Sequence, residues 1–388
     1  MAPDFPPQSQ LILPLLEVLN DVGPKPPAHL YPAVGAICEV PADAQQATNG
    51  RGVNLWSRHV RWAEQRARRH GWTDHPARNT WATTPQGTIL LGKAVPGTIT
   101  VAIRRPQGEF LWANALDVLM QEPSDSVDCY LTSPPYLLLR QKEYGGPRSE
   151  QEYLDWFLPF AQEMHRTLRV SGSLCLNLGL GPYLPGLPVR SPIVHRLVLA
   201  LLDQVGFHLA GEHVWVNPAA LPAPAEWVTV QRRQPKDGYE LVIVLAKSPA
   251  FQASTDDVLV PYSAAQRRLQ QKGQAPALRP SGHHLTGDFT ADHGGAIPSR
   301  VLTAANTDSN SAYFRACRAA GIPIHPARFP EALPDWFIRW LPKPGDLVVD
   351  PFAGSGTTAA VAERLGRRWK AIEQVGAYIE GARFRWSA

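Results

Sequence analysis

The chain has 388 residues, 44% of them hydrophobic and 19% charged, which is the composition of a globular protein with a sizeable core and not of a disordered chain. No apolar run approaches 18 residues, so no transmembrane helix is expected. The cysteines at 38, 129, 175 and 317 form no CxxC pair, which argues against a zinc ribbon, a thioredoxin motif and a disulfide framework. Reduced thiols and an opening, MAPDFPPQSQ, without a leader pattern give the expectation of a cytoplasmic protein. Net charge is +4, yet residues 51–105 hold nine Arg and one Lys against Glu64 and Asp74. Such a local excess marks either a surface that meets a polyanion or a merely solvated face.

In chain order, residues 11–19 (LILPLLEVL) predict a short buried helix, and the five Pro and Gly of 21–32 predict a loop. Residues 56–70 predict a helix closed by Gly71, with Trp56, Val60, Ala63 and Ala67 on one face and arginines off it. TWATTPQG (80–87) reads as a strand and turn, a wing, and 88–108 as a connector with a small hairpin. From about 109 strands and helices alternate. Strands are expected at 127–132, 173–178, 213–216, 241–246, 347–350 and 369–373, and helices at 150–169, 192–205, 330–341 and 357–366. This interleaving predicts an α/β sheet with helices on both faces. Between 247 and 325 the pattern gives way to a loop-rich insert.

Two segments carry chemistry. In DLVVDPFAGSGTTAAVAERLGRRWKAIE (346–373) a strand ends at Asp350, a turn holds Gly354 and Gly356, a helix follows, and a second strand ends at Glu373. Glycines let backbone approach a ligand, and an acid at a strand tip accepts hydrogen bonds from ribose hydroxyls. No GxxxxGK[ST] is present, so phosphoryl transfer from ATP or GTP is not supported. In SVDCYLTSPPY (126–136) a strand runs into Ser133, Pro134, Pro135 and Tyr136. The prolines remove two N–H donors, leaving carbonyl oxygens beside a hydroxyl and an aromatic face. Acceptors so placed suit an exocyclic base amine, whose lone pair must be freed to attack an electrophilic methyl. Tyr136 supplies a ring for the base to stack on.

TSPPY with DPFAGSGTT resembles the DNA amino-methyltransferases that use S-adenosyl-L-methionine, and the order of the two motifs resembles the permuted β class. HPARFP (325–330), YELVIVLAKS (239–248) and EYGGPRSEQEYLDWF (143–157) agree. The resemblance implies a permuted Rossmann-like methyltransferase sheet over 109–388, with a target-recognition insert at about 251–320. It implies that Ser133, Pro134, Pro135 and Tyr136 hold the target base. Asp350, Phe352, Gly354, Ser355, Gly356 and Thr357 would then line the methionine end of the cofactor, with Glu373 on its ribose and Arg328 and Phe329 closing the pocket. Serine first in the catalytic loop resembles the N4-cytosine branch more than the N6-adenine branch. Asn114 and Asn217 stand where the family often has Asp and Lys. C5-cytosine chemistry is disfavoured, since none of the four cysteines follows a proline.

Residues 1–90 resemble the winged-helix domain of Mrr-type restriction endonucleases, with 91–108 as connector. That resemblance makes Arg58, Arg61, Arg68 and Arg69 contacts to DNA phosphate. The expected partner is double-stranded DNA, with base flipping, in a restriction–modification system that leaves open a cognate endonuclease and the oligomeric state. Tyr262, His283, His284 and Asn306 are candidate contacts in the insert, and 137–149, with Gly145 and Gly146, a candidate lid. The histidines of HHLTGDFTADH complete no tetrahedral metal set. N6-adenine as the target is the first alternative; an inactive winged-helix regulator and a nicotinamide dehydrogenase are alternatives of other classes, and neither gives the TSPPY loop a role.

Overall fold

The computed structural model describes residues 5–137, 149–273, 290–307 and 311–386, with short pieces at 277–278, 280, 282 and 284–285. The N-terminal part holds α1 (Ile12–Val22), α2 (Pro27–Ile37), α3 (Ala42–Gln45), α4 (Leu55–Arg69), the hairpin β1 (Thr73–Ala77) and β2 (Thr80–Thr83), and α5 (Pro85–Leu91). α4 starts where the Asn54 side chain accepts from Ser57 N at 2.7 Å, and it stops before Gly71, whose φ is +75°. Its buried face is the expected Trp56, Val60, Ala63 and Ala67, with Glu64 added.

The rest follows as β3 (Thr100–Arg105), β4 (Gly108–Trp112), α6 (Ala115–Gln121), β5 (Val127–Thr132), α7 (Glu150–Thr167), β6 (Leu168–Leu178), α8 (Ile193–Ala200), β7 (His208–Val216), β8 (Tyr239–Ala246), α9 (Ala264–Lys272), β9 (Ala277–Leu278), β10 (His284–Leu285), β11 (Val301–Thr303), α10 (Ser311–Ala320), α11 (Ala332–Trp340), β12 (Leu347–Asp350), α12 (Thr357–Arg364), β13 (Arg368–Glu373) and α13 (Gly376–Ala382). Nine strands form one sheet in the order β11-β7-β8-β6-β5-β12-β13-β4-β3. From β6 through β4 neighbours are parallel, whereas β8 is antiparallel to β6 and β7, and β3 to β4. One apolar core packs α6, α7 and α8 on one face of the sheet, and a second packs α11, α12 and α13 on the other. This is the expected α/β fold with helices on both faces.

Several stretches differ from the expectation. The loop expected over 21–32 is helical at both ends: 21–22 close α1 and 27–32 open α2, with Pro27 in the first turn, where a missing N–H costs nothing. The connector over 88–108 continues α5 and holds β3, an edge strand of the main sheet. The stretch 247–325 returns to the sheet through β11, parallel to β7, and carries α10.

The N-terminal part is not tethered loosely. Its core of α1, α2 and α4 includes Tyr313, Cys317 and Ala320 of α10 and Ala377 of α13. Trp72 Nε1 donates to Glu380 Oε2 at 2.9 Å, and Arg66 Nη1 donates to the Ala319 carbonyl at 3.3 Å.

Candidate active site

The two motif loops lie far apart in the chain but side by side in space. β5 and β12 are adjacent parallel strands, with Val348 opposite Cys129 and Val349 opposite Tyr130. Their carboxyl ends therefore deliver the loop after Thr132 and the loop after Asp350 to one edge of the sheet, where α/β folds bind ligands. A side chain ties them: Thr132 Oγ1 donates to Asp350 Oδ1 at 2.6 Å.

Asp350 is buried, and both of its oxygens accept hydrogen bonds. Oδ1 also accepts from Phe352 N at 3.2 Å, and Oδ2 from Thr358 Oγ1 at 2.7 Å. Burial pushes its carboxyl up to about 6 against these bonds. It thus braces strand, turn and helix, and does not stand free at the ligand side. Glu373, at the tip of β13, accepts from Gly354 N and Val375 N, each at 2.9 Å. Desolvation raises its carboxyl to about 7, against three backbone N–H groups. Gly354 and Gly356 have φ of +49° and +73°. A Cβ on Gly354 would stand 2.8 Å from His325 Nε2, so the turn has no room for one.

Residues outside the motif hold this turn. Arg385, near the C-terminus, donates from Nε to the Ser355 carbonyl at 2.7 Å and from Nη2 to Ser355 Oγ at 2.9 Å. Ser355 Oγ lies 3.3 Å from Thr357 Oγ1. Phe352 packs on Trp156, Phe157 and Phe160 of α7, at ring separations of 5.9, 6.4 and 5.3 Å. Phe329 is buried, and the Arg328 guanidinium lies 4.4 Å from the Phe314 ring, its Nε buried and without a hydrogen-bond partner among the described residues. His325, half-buried beside Gly354 and Arg328, is held down to about 4 by desolvation and so stays neutral at pH 7.

The donor set suits S-adenosyl-L-methionine. Beside its backbone donors, the Glu373 carboxylate keeps acceptor capacity for a ribose hydroxyl, and the cramped glycine turn admits a ligand against bare backbone.

In the catalytic loop Ser133 Oγ donates to Tyr136 Oη at 3.1 Å, and Tyr136 Oη donates to Glu240 Oε2 at 2.9 Å. Asn177 Nδ2 donates to Glu240 Oε2 at 2.7 Å and to Tyr136 Oη at 3.1 Å. The carbonyl of Pro135 is not left bare, because Tyr153 Oη donates to it at 2.9 Å. The Tyr136 ring lies against Gly179, where a Cβ would meet it at 2.7 Å. Asn177, Gly179 and Glu240 were not anticipated, although Asn177 and Glu240 stand out as polar positions at the ends of apolar strands.

Arg58, Arg61, Arg68 and Arg69 are all exposed on α4. Arg61 Nε is bonded to Tyr31 Oη at 2.7 Å, Arg68 Nη1 contacts His75 Nδ1 at 3.1 Å, and Arg58 lies over the Trp62 ring. They form one basic face and are remote in sequence from the catalytic loops. In the insert Tyr262 Oη accepts from His293 N at 2.7 Å, and Asn306 N donates to Asn217 Oδ1 at 3.2 Å. His283, the His284 side chain and residues 138–148 of the candidate lid (137–149) lie outside the described residues. Among the described residues no helix is long and apolar enough to cross a membrane.

Comparison with known proteins agrees with this geometry. Residues 127–384 match the DNA methylase family of N6 and N4 methyltransferases, and residues 9–93 match the Mrr N-terminal domain. The type II methyltransferase M.PvuII of Proteus hauseri is 40% identical over 282 residues, 72% of this chain and 83% of that protein. M.BglII of Bacillus subtilis is 27% identical, over 69% of this chain and 65% of that protein. Among solved structures, the cytosine-N4-specific PvuII DNA methyltransferase superposes with a TM-score of 0.59 at 34% identity, covering 76% of this chain and 90% of that one. The chain belongs to the N6/N4 DNA methylase family and is a DNA methyltransferase whose methyl donor is S-adenosyl-L-methionine.

Proposed function

We propose that this enzyme methylates the exocyclic N4 amine of cytosine in double-stranded DNA, as the modification half of a restriction–modification system. The observation that carries the reading is the joining of the Ser133–Tyr136 loop to the Glu373 and glycine-turn site through Thr132 and Asp350 on adjacent strands. The serine at position 133 and the 40% identity to M.PvuII favour cytosine over adenine.

When bound, S-adenosyl-L-methionine supplies a methyl on a cationic sulfur and departs as the neutral thioether. Glu373 would accept its ribose hydroxyls, with Gly354, Ser355, Gly356 and Thr357 closing on the methionine end, Phe352 alongside and Arg328 and Phe329 as the pocket wall. Asp350 fixes the turn. The amine is unreachable inside the duplex, so the cytosine must leave the stack. Ser133 Oγ and the Pro134 carbonyl accept its N–H groups and turn its lone pair toward the methyl. Tyr136, fixed by Glu240 and Asn177, offers its ring face. Fixed positioning of the two reactants supplies much of the rate. The arginines of α4 grip phosphate, and the insert at about 251–320 reads sequence. The test is incubation with unmethylated DNA and cofactor, digestion to nucleosides and mass spectrometry. N4-methylcytosine is the expected product, and N6-methyladenine would overturn the choice of base.

A further inference from the structure

The hydrogen bonds around Tyr136 run in one direction, from Ser133 to Tyr136 to a carboxylate. We infer that Glu240 is the terminal proton acceptor of the methyl transfer, reached from the amine through Ser133 and Tyr136. The inference rests on the proposed reading of the Ser133 loop as the amine site.

Glu240 is the second residue of β8, which runs antiparallel to β6, so its side chain reaches the same edge as the end of β5. Tyr136 hands it a proton-bearing hydroxyl at 2.9 Å, and Asn177 steadies the same oxygen from β6 at 2.7 Å. The partners that face Glu240 are thus the titratable Tyr136 of the catalytic loop and the neutral Asn177 of β6. Burial raises the Glu240 carboxyl above its ordinary range, which brings its proton affinity nearer to that of the groups it serves. Tyr136 itself is pushed well up by burial and by Glu240, so it relays a proton without resting as a phenolate.

The nitrogen lone pair forms the N–CH3 bond as the S–CH3 bond breaks with its electron pair on sulfur. The nitrogen then carries one proton too many. That proton passes to Ser133 Oγ, the Ser133 proton to Tyr136 Oη, and the Tyr136 proton to the Glu240 carboxylate. Glu240 ends as the acid, and it returns the proton to water across its partly exposed edge.

Glu240 acts through other groups and is a positioning residue for the proton. The test measures single-turnover methylation of DNA against pH, with cofactor Kd in parallel. First, the wild type must methylate an amine: no methylated base would sink the parent reading and not this inference alone. Given that activity, E240Q is expected to fall about 100-fold or more in rate, with cofactor Kd unchanged and the acid limb of its pH profile gone. Y136F should fall alike, and the double variant no further, because both cut one path. E240D should restore part of the rate. N177D, a like charge beside Glu240, should move the acid limb to higher pH. An E240Q rate within twofold of wild type would overturn the inference. So would a slow E240Q that keeps the acid limb, or losses in E240Q and Y136F that multiply.

Discussion

With Glu373 on the cofactor ribose, as proposed, cofactor affinity is expected to depend on pH. Desolvation holds the Glu373 carboxyl at about 7, and only the ionised form keeps acceptor capacity for a ribose hydroxyl beside its backbone donors. Cofactor Kd should therefore rise as pH falls from 8 to 6, approaching tenfold per unit below the titration. E373Q should bind weakly at every pH, since an amide nitrogen would face the Gly354 or Val375 N–H. Calorimetric titration of wild type and variant checks this; a flat wild-type profile would remove Glu373 from the ribose. Asp350, raised to about 6, has a folding consequence. The unfolded chain ionises near 4, so between about 4 and 6 the native state holds a proton that the unfolded state has lost. That stabilisation is fully present below about 4 and is lost as pH rises through about 6. Cofactor-free D350N, lacking the group, should lose less Tm than wild type between pH 5 and 8. D350A should cost about 1–3 kcal/mol, because it strands the Thr132 and Thr358 hydroxyls and the Phe352 N–H.

At the scale of elements, what was legible in the sequence was what repeats a simple pattern. β5, β12 and β13 are buried between parallel neighbours, so they read as apolar runs ending in motif residues. α4 shows its period through Trp56, Val60, Ala63 and Ala67. α2 was hidden by its prolines, and α10 by a polar setting, although Tyr313, Cys317 and Ala320 follow a helical stripe. β3 was legible as an arm of a small hairpin, but its place at the edge of the main sheet was hidden, because a strand with exposed arginines lacks an apolar face. The half of the site on β6 and β8 was hidden for another reason: strand pairing, not spacing, brings Asn177 and Glu240 to Tyr136. G179A tests that half. Its methyl would press on the Tyr136 ring, so methyl transfer should fall at least tenfold with cofactor Kd unchanged. G356A should instead lose cofactor binding and stability together. Its φ is +73°, and its Cβ would lie 3.0 Å from the Phe110 ring and 3.1 Å from Ala382. Equal effects of G179A and G356A on cofactor Kd would argue against separate base and cofactor halves.

At the scale of the molecule, the N-terminal module shares one apolar core with α10 and α13, which flank the catalytic sheet. Removing residues 1–92 would bare Tyr313, Cys317 and Ala377, and would leave Glu380 without Trp72. The truncated protein should therefore aggregate or melt well below the full chain, and its failure to bind DNA would say nothing about the arginines. Point substitution on the intact chain asks the question cleanly. R58A and R69A remove exposed guanidinium groups, so Tm should hold while the slope of log K against log salt shrinks by about 0.9 for each phosphate no longer neutralised. R61A and R68A should cost some stability as well, because Arg61 is bonded to Tyr31 and Arg68 to His75. DNA binding of the four variants across a salt series separates the two readings of the basic stretch. Smaller slopes in R58A and R69A place α4 against the DNA backbone. Unchanged slopes in all four would make the +8 of residues 51–105 a solvated face, and would leave the grip on DNA to the catalytic domain and its insert.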